Sequence, residues 1–171
     1  MPLLKNGTVS EDRWTSAADD AALPADGPVL ISHARWLTER AALETRNAPL
    51  GIRLPNTVDI LDFGPEAGRF GLIVLEFPKF SDGRAYSQAR LLRERFGYQG
   101  ELRATGNILR DQLWHMHRSG FDAFELAHPD AAAALAGALG DFSAVYQPAA
   151  DGRPTALQLR LQKLRKPEAA E

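Results

Sequence analysis

The chain has 171 residues, 44% hydrophobic and 25% charged, with a net charge of −2 and no cysteine. This is the composition of one ordinary globular domain. Without cysteine, disulfides, thiol nucleophiles, iron–sulfur ligation and cysteine zinc sites are excluded. No apolar run reaches the roughly 18 residues of a membrane span, and the N-terminus lacks a hydrophobic signal core, so a cytoplasmic location is expected.

Residues 1–27, with Trp14 and the acidic stretch ADDAALPADG, read as an irregular N-terminal arm. A single α/β domain is expected over residues 28–147. It opens on a short strand, Pro28 to Ile31, and a helix from His33 to about Thr45 capped by Ser32. Leu50 to Leu54 is a second strand. Asn56 or Thr57 is placed to cap a short helix through Leu61, broken by Gly64-Pro65. Phe70 to Phe77 (FGLIVLEF) is the strongest strand, a near-continuous apolar run suited to the centre of a parallel sheet.

The periodicity then predicts a helix over Tyr86–Phe96, a strand at Glu101–Ala104 and a helix from Asn107 to Ser119. A strand at Phe121–Leu126 and an alanine-rich helix at Pro129–Leu139 follow, with a last strand at Phe142–Tyr146. Residues 148–171 form a polar, basic tail that reads as an edge strand or a short helix. Strands alternating with helices predict a mainly parallel sheet of repeated β-α units, either doubly wound and open or a partial barrel.

Charge is unevenly spread. Residues 79–118 carry eight basic and four acidic side chains, whereas residues 1–66 carry six and ten. The basic segment holds two strand-to-helix turns, Phe80-Ser81-Asp82-Gly83-Arg84 and Arg103-Ala104-Thr105-Gly106-Asn107. In parallel sheets ligands bind beyond the carboxyl ends of the strands. Lys79, Arg84, Arg103, Thr105, Gly106 and Asn107 are therefore candidates for an oxyanion pocket, with the following helix N-terminus as a further donor. The competing reading pairs the arginines with Asp82, Glu101 or Asp111. Asp82, Asp111 and His115 are candidate acids or bases, Asp111 standing four residues before His115 on one helix. An exposed ion pair explains that spacing equally well.

His115 and His117 point to different sides of a helix, so no metal site is expected. No GxGxxG, GxxxxGK[ST] or GxSxG motif occurs, and no cofactor is expected. A pI near 6.1 and the lack of an RNA-binding motif argue against nucleic acid.

The motifs FPKFSDGR, ELRATG, RDQ and RSGFDAFEL, in that order, resemble a bacterial family of unknown biochemical function. Its members are commonly named for sulfite reduction, because their genes tend to lie beside those of assimilatory sulfite reductase. The resemblance spans about residues 50–147. It implies an accessory protein of sulfur assimilation that binds a small oxyanion or docks on sulfite reductase. A lyase- or isomerase-like enzyme and a pure interaction module are the alternatives. The leucine-containing tail and an exposed edge strand leave room for a homodimer.

Overall fold

The computed structural model describes residues 2–5 and 7–165. Eight strands make one sheet: β1 (Leu3–Lys5), β2 (Thr8–Ser10), β3 (Thr15–Ser16), β4 (Val29–Ser32), β5 (Leu50–Leu54), β6 (Leu72–Phe77), β7 (Glu101–Gly106) and β8 (Ala123–Glu125). The helices are α1 (His33–Glu44), α2 (Ile60–Phe63), α3 (Arg84–Glu94), α4 (Leu113–Arg118), α5 (Ala131–Gly140) and α6 (Ala156–Arg165). Strand order is β2-β1-β8-β7-β6-β5-β4-β3. All pairings from β3 to β8 are parallel, while β1 pairs antiparallel with both β8 and β2.

Consecutive strands lie side by side throughout β3 to β8. Right-handed crossovers then put α1 to α4 on one face, where α5 joins them in the core, and the sheet curls into a half-barrel. The doubly wound alternative is thereby corrected: among the described residues the parallel run β3 to β8 has no reversal of strand order, and so no switch-point crevice. Side chains alternate across the sheet. Ile52, Leu54, Ile73, Leu75, Phe77, Leu102 and Phe124 meet the helices in the main core, while Leu30, Leu72 and Val74 join Trp14 on the inner face.

The arm over residues 1–27 is irregular only in part, from residue 17 onward. It supplies β1 to β3, with β2 at one edge of the sheet and β3 at the other. In a flat sheet those edges would stand about 33 Å apart at about 4.8 Å per strand. Five residue steps from Ser10 to Thr15 reach at most about 18 Å. Residues 11–14 therefore form a strap across the concave face, and its length alone demands strong curling. Burial of Trp14 against Gly51 and Gly71, where an added Cβ would come within 3.1 and 3.3 Å of the indole, anchors the strap. Leu4 enters the main core, adding an apolar anchor for β1.

Other elements differ more modestly. Asp59, not Asn56 or Thr57, caps α2, accepting the Leu61 N–H at 2.8 Å. Gly64-Pro65 does not end the helical path, which continues as a 3₁₀ turn through Arg69, with Pro65 at its start where no N–H is needed. Phe142–Tyr146 adds no strand to the sheet. Only Val145 makes an isolated bridge, to Thr155. The tail forms helix α6 through Arg165, and residues 166–171 lie outside those described.

Candidate functional site

On the concave face, Arg103 is 1% exposed and lies within β7, beside Val74. Its Nε and Nη2 donate to Glu101 Oε1 at 3.0 and 2.7 Å. Nη1 and Nη2 donate to Asp12 at 2.7 and 3.1 Å, and Nη1 also donates to Glu125 at 3.2 Å. A guanidinium has five N–H donors, and five bonds use them all. Thr105 donates its hydroxyl to Glu125, and Lys5 donates to Glu101 at 2.6 Å. Burial works against the charge on Arg103, yet its Asp12 and Glu101 hydrogen bonds raise its pKa still further. Asp12 is held below the usual carboxylate range: its partial burial opposes ionisation, but the Arg103 and Trp14 hydrogen bonds outweigh it.

Neither Arg103 nor Thr105 therefore forms the expected anion clamp, because both spend their donors on carboxylates inside the half-barrel. The alternation of β7 points both side chains to the concave face, away from the strand-end turn. The helix expected from Asn107 is also later and shorter. A 3₁₀ turn covers Arg110–Gln112 and α4 has six residues, so no extended helix N-terminus faces Gly106.

The two turns do abut. Asn107 N–H donates to Phe77 O at 2.8 Å, and Gln112 Nε2 donates to Phe80 O at 2.7 Å. Gly106 has φ +99°, and a Cβ there would lie 2.5 Å from Phe77 O, so glycine permits the close approach. Arg84, however, is forked onto Asp82, with Nε and Nη2 donating at 3.0 and 2.7 Å. That pair holds the Asp82 carboxyl far below its ordinary range, leaving it a poor acid or base near neutrality. Lys79 and Asn107 stand exposed at the same rim.

Asp111 and His115 form no hydrogen bond or ion pair among the described residues, because Asp111 lies in the 3₁₀ turn and not in α4. The His115 ring instead lies 4.7 Å from the Tyr86 ring. Burial and the nearby Asp111 charge push the Tyr86 hydroxyl up to about 12.

A cavity of about 390 Å³ opens between α3, α4 and residues 142–149. Arg90, His115 and Arg118 contribute its basic groups, Trp114, Phe142 and Tyr146 its aromatic ones, and among the described residues no carboxylate lines it. Trp114 and Phe142 have ring centroids 5.2 Å apart, and Arg118 and Arg153 flank the indole at 5.9 and 4.9 Å. Arg90 pairs with Glu94 at 2.9 Å, and Arg118 donates to Gln147 O. Neither Arg118 nor Arg153 enters an ion pair among the described residues. Of the sequence candidates only His115 belongs here. Arg90, Trp114 and Arg118 read in sequence as helix-face residues, and α4 alone carries the second and third of them.

The chain belongs to the bacterial protein family of unknown function DUF934, which it matches over residues 51–157. The matched region contains the cavity residues and excludes the strap with Asp12 and Trp14. No curated protein and no solved structure matches the chain. Among the described residues, no helix is long and apolar enough to cross a membrane.

Proposed function

We propose that this chain is an accessory protein of assimilatory sulfate and sulfite reduction that binds a small oxyanion in the cavity between α3 and α4. The observation that carries the anion reading is the cavity's lining, which among the described residues holds three basic side chains and no acidic one. Arg118, which pairs with no carboxylate among the described residues, offers charge-assisted donors to a sulfur or phosphorus oxyanion. The pathway rests on the resemblance of residues 50–147. An enzyme using Asp82, Asp111 or His115 as acid or base has weaker support, since Asp82 is ion-paired and the other two stand apart.

Docking on sulfite reductase is the second reading, favoured by Tyr146, which is 91% exposed at the cavity rim. Exposed tyrosine, tryptophan and arginine are the residue types that carry most interface energy. Calorimetry with sulfite, sulfate and phosphate tests the first reading. Arg118→Ala is expected to weaken binding about tenfold or more, about 1.4 kcal/mol, while Arg84→Ala leaves it unchanged. Equal affinities in all three proteins would refute the cavity as the anion site. Copurification with sulfite reductase, lost in Tyr146→Ala and at high salt, would favour docking.

A further inference from the structure

Two surfaces outside that cavity are complementary in charge and in apolar content. The first is α6. Its first turn is fixed by a capping box: Thr155 Oγ1 accepts the Gln158 N–H at 3.3 Å, and Gln158 Oε1 accepts the Thr155 N–H at 2.7 Å. Beyond that turn, Leu157, Leu161 and Leu164 are 66, 47 and 82% exposed. At about 100° per residue they form one stripe, with Arg160 along its flank and Lys163 beyond it. Neither cation enters an ion pair among the described residues.

The second surface is a groove of about 420 Å³ between α1 and α2. Trp36, Leu37, Val58 and Phe63 make it apolar, and Asp59, Asp62 and Glu66 make it acidic. Glu66 already accepts from Trp36 Nε1 and pairs with Arg40. Asp59 caps α2, and neither it nor Asp62 enters an ion pair among the described residues. Leu37, 64% exposed, offers the groove an uncovered apolar wall.

We propose that α6 of one copy of this chain seats in the α1–α2 groove of a second copy. The leucine stripe would cover the apolar floor, and Arg160 and Lys163 would meet Asp59 and Asp62. The two patches are different surfaces of one chain, so the contact is heterologous. Ten helical residues span only about 15 Å, so one contact buries less than the roughly 800 Å² per partner of stable dimers. Association is therefore concentration-dependent and weakened by salt.

Sedimentation of the full-length chain over a concentration series tests this, with far-ultraviolet circular dichroism confirming that each variant is folded. Wild type is expected to associate, and both Leu161→Asp and Asp62→Lys to remain monomeric. Mixing those two variants restores a 1:1 complex, because one keeps an intact groove and the other an intact α6. A monomeric wild type would overturn the proposal. So would an Asp62→Lys variant that associates like wild type, since α6 would then pair with itself or elsewhere. Failure of the mixed variants to form a complex would overturn it too.

Discussion

Asp12, on the strap, grips both terminal nitrogens of Arg103, a residue 91 positions further along the chain. This contact crosses the concave face and ties the strap to β7. Asp12→Ala removes two of the five bonds of a buried cation, while Glu101 and Glu125 retain the rest. We expect a loss of about 1–3 kcal/mol in urea denaturation. Arg103→Leu removes the shared cationic partner of three carboxylates at once and is expected to cost about 3–5 kcal/mol. Equal small effects from both would mean the network contributes little to holding the strap.

Trp14 is the strap's apolar anchor, buried over Leu72 and beside Gly51. Trp14→Ala should cost about 3–5 kcal/mol and expose the inner face, read by urea denaturation and by dye binding to apolar surface. Gly51→Ala probes the same seat from below, since a Cβ there would come within 3.1 Å of both Trp14 and Leu72. Neither strand nor ring yields easily, so a lower melting temperature is expected.

Gly106 tests the junction between the two turns. Gly106→Ala places a Cβ against Phe77 O in a backbone conformation that favours glycine. A destabilisation of about 1–3 kcal/mol is expected in the same denaturation assay. Anion binding in the α3–α4 cavity should survive, because none of the cavity's groups lies on that turn.

His33, at the start of α1, gives the chain a pH dependence of definite sign. Burial disfavours its imidazolium and lowers its pKa below 6.5, against the opposing pull of Glu66. Between the lowered value and 6.5 the unfolded chain binds more protons than the folded one. Stability is therefore full above 6.5 and falls on acidification through that window. Denaturation midpoints from pH 7 to pH 5 should drop in wild type and drop less in His33→Gln. A parallel decline in both would exclude His33 as the source.

The parallel core was legible because β5 and β6 are largely apolar runs closed by turns, and α3 carries a clear periodic face. The strap was not. Residues 1–27 contain strands of two or three residues; β3 pairs 14 residues ahead and β1 pairs with β8 118 to 122 residues ahead, and local pattern carries no trace of either. The Arg103 site was misread for a related reason. Its position two residues after Glu101 put both side chains on one face of β7, and period-two alternation already implied the ion pair. The cavity was hidden because Phe142–Tyr146 looks strand-like, while the role of residues 142–149 comes from folding back over α4. Only Arg118 and Trp114, four apart on the helix, hinted at a shared cationic and aromatic face.

The most direct test of the account is where an oxyanion sits. Selenate soaked into crystals of the full-length protein, located by its anomalous scattering, reports the position without assuming one. The account predicts a peak within hydrogen-bonding distance of the Arg118 guanidinium, in the cavity shared by Arg90 and His115. A peak at the Lys79–Arg84 turn instead, or none in the cavity at concentrations that saturate calorimetric binding, would contradict it.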